Sequence, residues 1–252
     1  MNGKNADPKA SGKELFRQPR PLDRVAHKSL TIDRKAGFGF ARGQMAIPIT
    51  LGEFAAAARD YPIVFAGESA QPFALLGLRE GRNFLVDGEG RWRKGRYVPA
   101  HLRRYPFIFM ETQDRQFVLC IDEAAEHFTA PGKSDPQPLF VDGNPSPLVG
   151  DAMKFLAAFQ SELVATRAFG AALVENGLLV ERQAQIELPG GSGHFSLTGF
   201  RAVDEERFAG VGDAVFLDWR KHGWLAPIHF HLQSLGNLAL LTEWAAESGA
   251  AG

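Results

Sequence analysis

The 252 residues suffice for one large domain or two small ones, with a core that buries most of the unfolded surface. At 45% hydrophobic, 23% charged and a formal net charge of −1, the composition is that of a folded globular protein. It lacks the global positive field that draws nucleic acid or an anionic membrane, and its single cysteine, Cys120, excludes an internal disulfide and a cysteine-rich zinc site.

Residues 1–20 are rich in Lys, Asn, Gly, Ser and Pro and lack apolar periodicity, so a disordered arm is expected there. It has no apolar signal-type segment, and no window in the chain approaches about 18 uninterrupted apolar residues. The expected compartment is therefore the cytoplasm, with export by a non-classical route left open. Residues 21–252 are expected to form one domain, with a subdivision at the Pro- and Gly-rich stretch 130–150 as the alternative.

In Arg34–Pro48, Phe38 and Phe40 alternate around Gly39, as in an edge strand or an aromatic-bearing loop. Thr50 followed by Glu53 matches a capping box and opens a helix over Leu51–Asp60. Pro62 ends that helix, and Ile63–Ala66 reads as a buried strand. Phe73–Leu78 and Asn83–Val86 are predicted to form a hairpin around Arg79–Arg82, and Arg91-Trp92-Arg93 to begin another strand.

The stretch Arg96–Asp122 is the organising one. A short helical turn over Ala100–Arg104 stops at Tyr105-Pro106, and Phe107–Glu111 and Gln116–Ile121 form a hairpin. Tyr61-Pro62 and Tyr105-Pro106 lie 44 residues apart, which raises the idea of a duplicated helix–strand unit. Cys120, on an apolar strand, is expected to be a buried thiol. Asp122–Phe128 is read as helical.

Asp151 to about Asn176 gives the clearest helical pattern. Ala152, Leu156, Phe159, Leu163, Thr166, Gly170 and Leu173 draw one stripe, and Gly177 fits the C-terminal cap. A hairpin follows over Ala184–Leu188 and His194–Gly199, around the turn-formers Pro189–Gly193. Short helices are expected at Asp204–Phe208 and Asp213–His222. A last helix spans Pro227–Ala246, with Ile228, Leu232, Leu235, Leu238 and Leu241 inward. The expected fold is α+β: a mostly antiparallel sheet covered by the long helix and the C-terminal helix.

No G-x-S-x-G, H-E-x-x-H, C-x-x-C, EF-hand or phosphate-loop pattern occurs. His229 and His231 point about 200° apart on a helix, so one packed and one exposed histidine are expected instead of a metal-binding pair. The densest basic cluster joins Arg91, Arg93, Lys94 and Arg96 to His101, Arg103 and Arg104. It suits an acidic ligand or a peptide carboxylate, or else a solvated face. Asp122, Glu123, Glu126 and His127 form a carboxylate–histidine group.

A set of blocks resembles the bacterial SapC family. They are Tyr61-Pro62-Ile63-Val64-Phe65, Leu75-Leu76-Gly77, Gly90-Arg91-Trp92, Arg96-Tyr97-Val98-Pro99-Ala100, Arg103-Arg104-Tyr105-Pro106-Phe107, Leu119-Cys120-Ile121-Asp122-Glu123, Ser196-Leu197-Thr198-Gly199-Phe200 and His231-Leu232-Gln233-Ser234-Leu235. The resemblance runs from Pro21 to about Leu241. It implies no established catalytic residues; the family's name derives from surface-layer association, and an unrelated permease shares the name.

The leading expectation is a non-enzymatic accessory or binding protein for a peptide or partner protein, with no cofactor and self-association open. One alternative is a metal-dependent or unfamiliar enzyme using His231 with the Asp122/Glu123 region. A surface-layer component is the other. The candidate ligand residues are Arg91, Trp92, Tyr97, Arg103, Arg104 and His231, with Trp92 and Tyr97 stacking or hydrogen bonding and the arginines clamping a carboxylate.

Overall fold

The computed structural model describes residues 5–6, 15–33, 36–129, 136–188 and 193–248. The fold is α+β, with several antiparallel sheets under one long and several short helices. In the largest sheet, Ile63–Ala66 pairs with Gln71–Leu75, which in turn pairs with Ala46–Pro48. Leu179–Glu187 and His194–Val203 form a long hairpin joined to it at Arg201 and Phe65. The two-residue strand Asn5–Ala6 runs parallel to His194–Val203. A second sheet, Phe107–Glu111, Phe117–Asp122 and Pro19–Pro21, carries the organising stretch. Short strands at 31–32, 128–129 and 137–138 make a third.

The expected disordered arm lies mostly outside the described residues. Of its last six, Leu15 packs on the core and Pro19 and Arg20 pair with Asp122 and Ile121. The turn at 189–193 also lies almost wholly outside them.

The long helix runs over Pro147–Glu175, four residues earlier than its stripe predicts. Pro147, preset for the first helical position, suits the start; Ser146 precedes it in extended conformation, and its side chain makes no capping bond among the described residues. Most of the predicted stripe faces inward: Leu156, Phe159, Thr166, Gly170 and Leu173 are buried, as is Phe169 beside them, while Ala152 and Leu163 are only partly covered. At Gly170 a β-carbon would lie 2.7 Å from the Ser69 carbonyl oxygen, so glycine lets this helix touch the 67–70 turn.

Three expected elements take other forms. Asn83–Val86 does not pair as a strand, beyond a single bridge from Val86 to Trp92. The Asn83 side chain holds the Ala41 carbonyl and the Leu85 N–H instead, and Gln71–Leu75 takes its partners elsewhere. Asp122 ends one strand and Phe128 begins another, with turns and irregular backbone at 123–127, and the Asp122 carboxylate accepts backbone N–H groups of the N-terminal segment. The C-terminal helix breaks at Gly236 into Leu225–Ser234 and Leu238–Glu247. Its buried positions are Pro227, Ile228, His231, Ser234, Leu241, Trp244 and Ala245, while Leu232, Leu235 and Leu238 are only partly covered.

Two apolar clusters hold these layers together. The larger gathers Phe54, Tyr61, Phe65, Phe169, Trp219, Ile228 and Trp244. The smaller lies under the start of the long helix and joins Ile32, Phe107, Ile121, Leu139, Val149 and Leu156.

Candidate functional site

Both Tyr-Pro corners bury their tyrosines, but with different partners. The Tyr61 hydroxyl donates to the Tyr97 carbonyl. Tyr105 donates to Asp122 Oδ2 at 2.9 Å, and the Tyr105–Pro106 peptide is cis. Asp122 also accepts the N–H groups of Arg17, Gln18 and Ala124. Burial raises its pKa, but those bonds outweigh it and hold the carboxyl below its ordinary range.

Beside the Tyr105 corner opens a cleft of about 480 Å³, in the size range of small-ligand sites. Its walls are Ile32, Phe38, Phe40, Leu102, Tyr105, Phe107, Leu148, Ala152, Phe155 and Leu156, with Arg103, Arg104, His127 and Asp151 as the polar members. Backbone contact fixes the first wall: Gly37 and Gly90 both have positive φ, and Phe38 N–H meets the Gly90 carbonyl at 2.6 Å. A β-carbon on Gly37 would fall 2.7 Å from that oxygen. Phe40 then stacks on Tyr105 with centroids 4.0 Å apart, and His127 meets both rings edge-on. The first three turns of the long helix close the opposite side.

Arg103 and Arg104 differ in how they are held. Arg103 is exposed and donates to the Val98 carbonyl and the Tyr97 hydroxyl, over the rings of Tyr97 and Phe155. Arg104 lies between Phe16 and Phe159, 5.1 and 4.9 Å from their centroids. Its Nη2 donates to His101 Nδ1 at 3.2 Å, and its buried Nε has no partner among the described residues. Burial lowers the Arg104 pKa to about 10, still cationic at neutral pH. Burial and the Arg104 charge push His101 down to about 3, so its ring is neutral and accepts. His127 is also pushed down by burial, against Glu126, Gly37 and Asp33, and its buried Nδ1 has no hydrogen-bond partner among the described residues.

The structure thus brings Arg103 and Arg104 together at the cleft, with Tyr97 one hydrogen bond behind Arg103. Tyr97 is tied inward: its hydroxyl donates to Glu53 Oε1 at 2.9 Å, and Glu53 also takes the Thr50 and Ala100 N–H groups. Trp92 lies behind Phe38 at 5.4 Å, its buried indole nitrogen beside the Tyr61 hydroxyl. Arg91 stands in solvent, paired to Asp87 and Glu89 on its own turn.

His231 is elsewhere. It is fully buried, with Nδ1 2.9 Å from the Ile63 carbonyl and Nε2 accepting the Val203 N–H at 3.0 Å. Both ring nitrogens are occupied, which fixes the neutral tautomer protonated at Nδ1. Burial lowers its pKa to about 4. His229 is exposed, so the helical phase separates the two histidines as expected. His231 and Asp122 share neither a hydrogen bond nor a cavity, and Glu123 pairs with His27 at 3.0 Å. Among the described residues, no group of three or more His, Cys, Asp or Glu is placed to hold a metal. Cys120 is buried and burial raises its thiol pKa.

Sequence reasoning did not assemble Leu102, Phe155 and His127 with Phe38 and Phe40. They come from four separated segments, and no local spacing signals their convergence. A family model described as SapC matches residues 22–241. No curated protein matches the chain, and no solved structure does. No helix among the described residues is long and apolar enough to cross a membrane.

Proposed function

The chain belongs to the SapC family, and from that premise we propose that it is a binding protein whose cleft beside Tyr105 receives a segment of a peptide or partner protein. One observation carries the reading: an aromatic-walled cleft of about 480 Å³ that presents guanidinium groups among apolar side chains. Such a lining suits a ligand with an apolar side chain to bury and a polar group to orient. The volume accommodates one large side chain with its backbone, so a terminal or looped segment enters and the rest stays outside. In this reading the proline corner, the 37–40 loop and the long helix form a frame that holds the walls in place before the ligand arrives.

The test is an NMR titration of isotope-labelled protein with short N-acetylated peptides ending in Phe, Leu, Ile or Trp. The reading expects amide shifts concentrated at Phe38, Phe40, Leu102, His127, Ala152 and Phe155. Shifts concentrated on another face, or none with any peptide, refute it.

A further inference from the structure

Resting on the cleft as the binding site, we propose that its ligand presents a carboxylate to Arg104, so that the cleft reads an acid group joined to an apolar body. The free C-terminus of a peptide and a small apolar carboxylic acid share that chemistry.

Two other ring-stacked arginines of this chain are paired with carboxylates. Arg93 and Arg96 lie over Trp244 at 4.9 and 5.3 Å. Each has a carboxylate: Glu247 at 2.6 Å and Asp60 at 2.9 Å. Arg104 is stacked as closely, on two rings, yet no carboxylate among the described residues pairs with it. Its one side-chain partner is the neutral His101. Arg103, at the rim, is bonded to a carbonyl and a hydroxyl, and to no carboxylate among the described residues. The cleft therefore holds two guanidinium groups against one carboxylate, Asp151, which is exposed and faces Lys154 at 3.6 Å.

A partly desolvated cation without a counter-ion is costly unless something supplies the opposite charge. Geometry says where that charge comes from. Phe16 and Phe159 lie over the Arg104 guanidinium within 5.1 Å, so an anion approaches in its plane. Nη2 is held by His101, while Nη1 donates to no described residue. A planar carboxylate matches in-plane N–H donors, and its apolar body continues onto Phe40, Leu102 and Phe155. A single guanidinium in apolar surroundings suits a monoanion better than a doubly charged phosphate.

Isothermal titration at low salt tests this with three probes: acetyl-Ala-Ala-Phe as the free acid, the same peptide as its C-terminal amide, and 3-phenylpropionate. The expected result is about tenfold or more tighter binding of the acid than of the amide, the range of a charge-assisted hydrogen bond. Arg104→Gln is expected to remove that ratio, and Arg103→Gln to reduce it less. Phenylpropionate binding as tightly as the peptide acid assigns the carboxylate to a small acid; tighter peptide binding assigns it to a chain end. Equal affinities for acid and amide in the unmodified protein overturn the carboxylate but leave the cleft reading standing. No binding of any probe overturns both. The acid-to-amide comparison needs no variant, so it decides the matter even where Arg104→Gln fails to fold.

Discussion

Acid should weaken this fold through His231, and the size of the effect can be worked out. The ring is fully buried between Ile63 O and Val203 N–H, and its pKa falls to about 4. In the unfolded chain a histidine titrates near 6.5. Between those values the unfolded chain binds a proton that the folded one refuses. The contribution is therefore complete above about pH 6.5 and is lost as pH falls toward 4. From pH 7 to pH 4.5 the loss is about 2 to 3 kcal/mol, at roughly 1.4 kcal/mol per pKa unit. Urea unfolding followed by tryptophan fluorescence at the two pH values measures it. His231→Phe keeps a ring of similar size but leaves a buried carbonyl and a buried N–H unpaired, at about 2 to 5 kcal/mol. It should therefore be less stable at pH 7 and lose less between the two pH values. A variant that keeps the full acid sensitivity of the unmodified protein would refute the reasoning, since the proton would then bind elsewhere.

Three further outcomes follow from the packing. Gly170→Ala should lower stability by about 1 to 3 kcal/mol in thermal unfolding, although alanine favours helix, because its methyl would meet the Ser69 and Ala70 carbonyl oxygens at 2.7 and 2.9 Å. Glu53→Gln should cost about 2 to 4 kcal/mol, measured by denaturant midpoint, since the amide replaces an acceptor that holds Thr50, Tyr97 and Ala100. Cys120, at 1% exposure, should react with a thiol reagent only at the rate at which the native structure opens. Its labelling should become fast in denaturant, and fast labelling without denaturant would contradict its burial.

How much of this was legible in the sequence depends on the range of the interaction. The stripe from Ala152 to Leu173 lies on the long helix because a 3.6-residue period is local, and the phase that parts His229 from His231 is local too. The capping box of Thr50 and Glu53 is likewise there. Asp122–Phe128 escaped because its fate rests on Arg17 and Gln18, about a hundred positions away, whose N–H groups claim the Asp122 carboxylate. Asn83–Val86 has strand-like residues, but the Asn83 amide commits the backbone to a loop. The cleft was half legible. Arg103 and Arg104 stand out as a basic pair and Phe38 and Phe40 as exposed-looking aromatics. Only the fold brings them within reach of Phe155, eight residues after a helix start that proline density disguised as a linker.

The measurement that most directly tests the cleft as the binding site is titration of Ala152→Phe beside the unmodified protein with one peptide acid. Ala152 is partly exposed on the long helix, packs on the edge of the smaller cluster and lines the cleft, so a phenyl ring there fills the space the ligand needs. A folded Ala152→Phe protein should show at least about a tenfold loss of affinity, the scale expected when one large apolar side chain loses its pocket. Undiminished binding by a folded Ala152→Phe protein would place the ligand elsewhere and contradict it.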